Sequence, residues 1–144
     1  MTSLFVGLDY EFTMVIRVLV SLILGLIVGM ERQKTKTLAK NFGAAGLRTL
    51  TLVCFGTTLI TAIGALAFSN DPRLAASIMS GIGFIGAGAI IASEKKNMGL
   101  TNAAAVWAVA SIGIAIGMGL YIVATFGTLV TVIILELRKF EKLE

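Results

Sequence analysis

Long apolar stretches, separated by short charged segments, run along the chain from residue 12 to residue 135. Three of them, residues 12–30, 50–68 and 74–93, approach the roughly 20 residues that a helix needs to cross a hydrocarbon core about 30 Å thick. Each of the three therefore predicts a transmembrane helix.

A fourth apolar stretch, residues 103–135, contains no charged residue. One helix over this length would extend about 50 Å at 1.5 Å per residue, which is too long for one span without extreme tilt. A Gly-Met-Gly tripeptide at 117–119 lies near its middle. We therefore divide the stretch into spans at 103–117 and 120–135, so that the sequence predicts an all-α bundle of five transmembrane helices.

The composition agrees with a membrane protein. The chain is 57% hydrophobic and 14% charged, whereas a typical soluble domain has about 25% charged residues. We predict a single transmembrane domain over residues 1–144, with the lipid bilayer as its first partner. The net charge of +4 comes from basic residues next to the spans, where anionic lipid headgroups are the nearer partner, so nucleic-acid binding is not expected.

The basic residues also predict the orientation. With five spans, the basic clusters at 32–48, 95–96 and 138–142 all fall on one side of the bilayer. Because lysine and arginine favour the cytoplasmic side, we expect the N-terminus outside and the C-terminus in the cytoplasm. A division into four spans would place the basic C-terminal tail outside.

The residues that usually carry metal and acid–base chemistry are scarce. The chain has one cysteine, Cys54, and no histidine, which excludes an internal disulfide and removes the usual ligands of zinc and redox metals. No cofactor is expected, and any bound metal would be a hard, oxygen-ligated ion such as Mg²⁺, with Asp71 as its candidate ligand. Without a Ser/His/Asp set, the chain is not expected to be an enzyme.

Arg17 alone among the lysines and arginines lies well inside a predicted span. It shares one helical stripe with Ser21, Gly25 and Gly29, and we expect this stripe to face protein. An arginine at such depth is by default a functional candidate that could pair with Asp71 on the same side of the membrane. Alternatively, it snorkels to the outer headgroups. Both interpretations stay open.

Two short motifs predict helix starts. Asp71 followed by Pro72 is typical of a helix N-terminus, with the aspartate as N-cap and the proline as first helical residue of the third helix. Gly99 and Thr101 similarly predict a turn and an N-cap before the fourth helix.

Small and hydroxyl-bearing residues indicate helix packing. The second span has one hydroxyl-bearing face, formed by Thr51, Thr57, Thr58 and Thr61 with Cys54 among them. This face lines a hydrated path or packs on a neighbouring helix, and packing is favoured because threonine also bonds to its own helix. In the fourth span, Gly113 and Gly117 form a small-xxx-small pair that permits a close crossing or a homodimer.

The third span contains the run Ser80-Gly81-Ile82-Gly83-Phe84-Ile85-Gly86-Ala87-Gly88, which includes a literal G-x-G-x-x-G. This is not a dinucleotide fingerprint, because no strand precedes it and a nucleotide does not bind within hydrocarbon. Because glycine has no side chain, these residues leave the helix backbone accessible instead. They allow a close helix approach, or a local unwinding whose carbonyls could coordinate a cation.

Five motifs, in this order and spacing over about residues 12–125, resemble the successive signatures of the MgtC/SapB family. They are Gly29-Met30-Glu31-Arg32, Ala45-Gly46-Leu47-Arg48-Thr49, Asp71-Pro72-Arg73, the glycine run at 80–88, and Gly99-Leu100-Thr101. Members of that family have a membrane part of about five spans. Many also carry a soluble cytoplasmic domain, which we do not expect here because the sequence stops at Glu144.

The resemblance implies a multi-pass protein of the bacterial inner membrane, in a virulence-associated family tied to survival at low Mg²⁺ and within host cells. It implies action on other membrane proteins, including ATP synthase and a Mg²⁺-importing P-type ATPase. The functional candidates at signature positions are Glu31, Arg48, Asp71, Arg73, Gly81, Gly83, Gly86 and Gly88. Glu31 and Arg48 also offer an ion pair at the cytoplasmic span ends, and Asn102 stands where the family usually has threonine.

We therefore expect a homo-oligomer that regulates other membrane proteins, or Mg²⁺ homeostasis, through its glycine-rich helix faces. The alternative is a small oligomeric channel or transporter for Mg²⁺ or another ion. Arg17, Asp71, the threonine face and the glycine-rich span motivate this alternative.

Overall fold

The computed structural model describes residues 2–39, 45–67, 72–93 and 96–137, and within these ranges the regular structure is helical. The five helices are α1 Thr2–Ala39, α2 Leu47–Ala67, α3 Pro72–Ile91, α4 Lys96–Gly117 and α5 Tyr121–Glu136. The prediction of an all-α fold with five helices is confirmed. Pro72 opens α3 as predicted, whereas Asp71 lies outside the described residues.

In the part of the chain that the structure describes, four stretches of helix are long and apolar enough to cross a membrane, namely Asp9–Lys34, Leu47–Ala67, Pro72–Ile91 and Gly99–Gly117. The fifth helix, α5, is apolar but has 16 residues, which corresponds to about 24 Å. Large apolar side chains cover the outside of the bundle, and Phe84, Ile91 and Ile122 are each more than four-fifths exposed. The chain is a multi-pass membrane protein whose outer surface contacts lipid, while its orientation stays a prediction.

The chain reverses direction between α4 and α5 at the predicted position. The amide of Gly119 donates to the Ile116 carbonyl and that of Leu120 to the Ala115 carbonyl, each at 2.8 Å. This pair of bonds is the Schellman C-cap, which requires a left-handed residue. Gly119 supplies it with a φ of +81°, a conformation that costs glycine little.

The prediction that Thr101 caps the fourth helix after a turn at Gly99 is wrong. Helix α4 begins at Lys96, so both residues lie inside it. A Cβ on Gly99 would lie 3.0 Å from the Cβ of Ser93 and 3.1 Å from the Cα of Ile90. Gly99 therefore marks a close approach between the end of α3 and the first turns of α4.

Helix α4 is the centre of the bundle. It packs extensively on α2 and on α3 and also contacts α1 and α5. Helix α1 packs along α2, whereas α2 and α3 scarcely touch each other. The fully buried side chains Val106, Val109 and Ile116 of α4 form the middle of the core. Helix α3 is thus held almost entirely by α4 and stands at the edge of the bundle.

Candidate functional site

The stripe on α1 faces protein, as predicted. Ser21, Gly25 and Gly29 are buried. A Cβ on Gly25 would lie 2.9 Å from the Cβ of Cys54, and one on Gly29 would lie 2.9 Å from the Cα of Leu47. These distances are too short for a side chain, so the two glycines allow the backbones of α1 and α2 to approach closely.

Arg17, on the same stripe, is half-buried and reaches the C-terminal end of α4. Its Nη1 donates a hydrogen bond to the carbonyl oxygen of Gly117 at 2.6 Å. The last carbonyls of a helix lack intrahelical partners and carry the negative end of its dipole, so a guanidinium is favoured there. Arg17 therefore ties α1 to the end of α4. Its predicted pair with Asp71 involves a residue outside the described ranges and stays a prediction.

The threonine face of α2 is mostly buried against α4. Thr57, Thr58 and Thr61 are buried, and the Thr58 hydroxyl donates to the carbonyl of Gly113 at 2.9 Å. The Thr57 hydroxyl donates to the carbonyl of Val53 in its own helix at 2.8 Å. For these three residues the packing interpretation is confirmed.

Gly113 and Gly117 form the other side of this contact. A Cβ on Gly117 would lie 2.5 Å from the Cβ of Thr61 and 2.8 Å from the carbonyl oxygen of Thr58. A Cβ on Gly113 would collide with the hydroxyl of Thr57. The small-xxx-small pair therefore forms a close crossing within one chain, and α2 covers the glycines that a homodimer would need.

A buried polar group lies near the other end of α1. Glu31, Arg32 and Asn102 are 8%, 3% and 0% exposed. The Arg32 Nη2 donates to the Asn102 Oδ1, while the Asn102 Nδ2 is buried without a hydrogen-bond partner among the described residues. The sequence placed Arg32 in a signature motif and marked Asn102 as a departure from the family pattern, but neither residue was among the functional candidates. The sequence signal for a buried polar contact was the side-chain amide of Asn102, which lies several residues inside a largely apolar helix.

The remaining polar candidates lie apart from this group. Arg48 is exposed at the start of α2, and Arg73 is exposed in the first turn of α3. Because Glu31 is buried while Arg48 is exposed, their suggested ion pair stays a prediction. Within the described ranges, no group of three or more His, Cys, Asp or Glu side chains could hold a metal ion.

The glycine run lies on a continuous helix, so the local unwinding expected as one possibility is wrong. Unwinding in hydrocarbon would leave backbone groups without partners, at several kcal/mol each. Only Gly86 of the four glycines is buried, and a Cβ on it would lie 3.6 Å from the Cβ of Ala103 on α4. Gly81, Gly83 and Gly88 are exposed, and a Cβ on any of them would have no described atom within 4 Å.

Part of this run belongs to a row of small residues that faces away from α4. Ala76, Ser80, Gly83 and Ala87 follow one another at steps of four, three and four, which places them on one side of a helix. All four are exposed. We call this row the small face of α3. It is a strip of small side chains on a helix that also exposes large apolar ones such as Phe84.

Comparison with known proteins identifies similar sequences. A family model described as "MgtC family" matches residues 18–143. The chain is 36% identical over 132 residues to the protein named "Putative magnesium transporter YhiD" of Escherichia coli K12, covering 85% of this chain and 59% of that protein. It is 35% identical over 120 residues to "Protein MgtC" of Salmonella typhimurium LT2, covering 83% and 49%.

A third relative, an uncharacterized protein of Haemophilus influenzae, is 34% identical over 135 residues, or 84% of this chain and 53% of the relative. The chain thus spans about half to three-fifths of the length of these relatives. No solved structure matches it.

Proposed function

The chain belongs to the MgtC family, and from this premise we propose that it is an inner-membrane protein of magnesium homeostasis that regulates another membrane protein by direct contact. The name of YhiD, a relative at 36% identity, refers to magnesium transport. The proposal assigns no chemical reaction and no cofactor to the chain, and it places the N-terminus outside and the C-terminus in the cytoplasm.

The small face of α3 is the observation that carries this proposal. In lipid, helices associate mainly through close van der Waals packing, and small residues permit that approach. The glycine pair on α4 is already covered by α2, whereas Ala76, Ser80, Gly83 and Ala87 are exposed. A helix of a partner protein could therefore pack on α3 without any rearrangement of the bundle.

The partner class follows from the family resemblance and from the geometry of this face. A cation-transporting P-type ATPase and the membrane part of ATP synthase both present long apolar helices. Such a helix can lie along α3, which is 20 residues long. The same face could join two copies of the chain, so a homo-oligomer is part of the proposal.

In-cell photocrosslinking tests the contact directly. A photoreactive phenylalanine derivative replaces Ala87 on the small face, and a matched variant carries it at Ile122, which is 87% exposed on α5. We expect the Ala87 position to give a discrete protein adduct, identified by mass spectrometry as a transport ATPase subunit, ATP synthase or a second copy. Equal adducts from both positions, or lipid adducts only, would contradict the proposal.

A growth assay tests whether the contact matters for function. The Gly83→Leu variant places a bulky side chain on the small face but has space around it in the bundle. We expect it to accumulate normally in the membrane, to lose the Ala87 crosslink, and to fail to restore growth at low Mg²⁺ in a strain lacking the gene.

The alternative function, an oligomeric channel or transporter, has the name of YhiD in its favour. Two sequence features that motivated the channel, the threonine face and the glycine-rich span, are accounted for by the structure of the bundle itself. Most of the threonine face packs on α4, and the glycine-rich span is a continuous helix. Uptake of Mg²⁺ into proteoliposomes, followed with an enclosed dye and lost in Asp71→Asn, would favour the channel. Absence of flux from well-folded protein would favour the regulator.

A further inference from the structure

A groove runs along the outside of the bundle between α2 and α3. The two helices meet near Gly64 and Leu74, where a Cβ on the glycine would collide with the leucine side chain. They scarcely touch elsewhere, because each packs on α4 instead. The space between them has a volume of about 670 Å³, within the roughly 300–1,000 Å³ that is usual for ligand pockets.

The groove is apolar over most of its length. Its larger side chains are Leu52, Ile60, Leu74, Ile78, Ile82 and Ile85. Gly56 of α2 and Gly81 of α3 line the groove from its two sides, and a Cβ on either would have no described atom within 4 Å. Since α2 and α3 are membrane-spanning helices, the molecule that fills this part of the groove must be apolar.

The end of the groove at the start of α2 is polar. Arg48 and Thr49 line the groove there, and the same two residues line a second, adjoining pocket of about 390 Å³. Gln33 of α1 and the chain at Gly46 and Leu47 complete that pocket. Arg48 and Thr49 thus line both a polar compartment and an apolar one.

The sequence that leads into the polar compartment is rich in basic residues, with the buried Glu31 directly before it. The segment from residue 32 to residue 49 contains Arg32, Lys34, Lys36, Lys40 and Arg48 and no aspartate or glutamate. Basic segments next to a membrane attract anionic lipids, and a guanidinium matches the geometry of a phosphate with two parallel hydrogen bonds. The exposed Arg48 is the cation of this segment that lines both compartments.

We propose that this site binds one anionic phospholipid from the bilayer. The headgroup phosphate contacts Arg48 and Thr49 in the polar pocket, and one acyl chain lies in the groove between α2 and α3. The charge decides in favour of this occupant, because an apolar helix in the groove would bring no anion to Arg48. The proposal is independent of the regulatory role, which depends on the small face on another side of α3.

Native mass spectrometry of the purified chain tests this site. The protein is incubated in micelles with equal amounts of phosphatidylglycerol and phosphatidylcholine, and the retained lipid is identified. We expect one phosphatidylglycerol per chain, retained about fivefold over phosphatidylcholine, as one basic contact provides near a membrane surface. Arg48→Gln should abolish the preference for phosphatidylglycerol, and Gly81→Leu should lower retention of both lipids by filling the groove.

Two matched variants keep the test specific. Lys34→Gln removes one exposed positive charge from the same segment but changes neither compartment, and Gly83→Leu adds the same bulk to α3 outside the groove. Both should retain phosphatidylglycerol as the unchanged chain does. Equal retention of the two lipids by the unchanged chain would overturn the proposal. So would a loss of lipid preference in Lys34→Gln as large as in Arg48→Gln, or a loss of retained lipid in Gly83→Leu as large as in Gly81→Leu. Retention of a second copy that Gly81→Leu removes would also overturn it.

Discussion

Two pairs of glycines in the described helices do opposite things. Gly113 and Gly117 on α4 lie so close to α2 that a Cβ on either would collide with a threonine. Gly81 and Gly83 on α3 have no described atom within 4 Å of where a Cβ would be. In the first group the chain uses the missing side chain for its own helix packing, and in the second the space beside the glycine is open on the outside of the bundle.

The difference follows from the position of each helix. Helix α4 has neighbours on several sides, and Gly113 and Gly117 are covered by α2, whereas α3 rests on α4 alone for most of its length. Because the driving force for helix association in lipid is packing rather than the exclusion of water, an uncovered small face is a surface on which another helix can still pack. The two groups should therefore respond in opposite ways to the same substitution.

The largest effect is expected from Gly113→Ala. The new Cβ would meet the hydroxyl of Thr57 and come within 2.6 Å of the Cys54 carbonyl oxygen. The helices must separate, and overpacking of this kind costs about 3 kcal/mol. The free energy of unfolding is measured by titration with dodecyl sulfate in mixed micelles, with the fluorescence of Trp107, the single tryptophan, as the signal. Unchanged stability would remove the distinction between covered and open glycines.

An intermediate loss of stability is expected from Asn102→Ala. This variant tests whether the covered side of α4 also depends on a polar contact. Arg32 would lose a buried hydrogen bond to the Asn102 amide, and bonds to charged groups contribute about 1.5–3 kcal/mol. The same titration measures the loss. Thr125→Ala is the matched control, because that threonine is exposed and bonds only within α5 among the described contacts; an equal loss in both variants would contradict the importance of the buried bond.

The smallest effect on stability is expected from Gly83→Ala, and it has the opposite sign. Alanine fits the open space, and replacing glycine inside a helix stabilises it by roughly 0.5–1 kcal/mol. We expect a slightly higher free energy of unfolding in the same titration. Destabilisation comparable to that of Gly113→Ala would show that the small face of α3 is covered within a single chain.

Much of the fold follows from the sequence by simple periodicity. Residues at steps of four on α1, from Ser21 to Gly29, predict a buried stripe because the helical repeat is local. The glycines near residue 117 predict a break because an uninterrupted helix would exceed the membrane thickness. Neither inference needs knowledge of which helices are neighbours.

The candidate site could be predicted less well, because it depends on which helices meet. Gly86 and Gly83 are three residues apart in one run, yet only Gly86 faces α4. The bond between Arg32 and Asn102 joins residues 70 positions apart, and no local pattern indicates it. Gly99 was a signal for close approach, but close approach and a turn both favour glycine, so sequence alone does not separate them.

The contact between Arg17 and Gly117 also sets a time order for assembly. The two residues are 100 positions apart, so at a synthesis rate of about 5–20 residues per second the carbonyl is made roughly 5–20 s after the guanidinium. During that interval α1 is already made and carries a charge whose final acceptor does not yet exist. Helix α1 therefore makes its contact with the end of α4 only after four of the five helices have been synthesised.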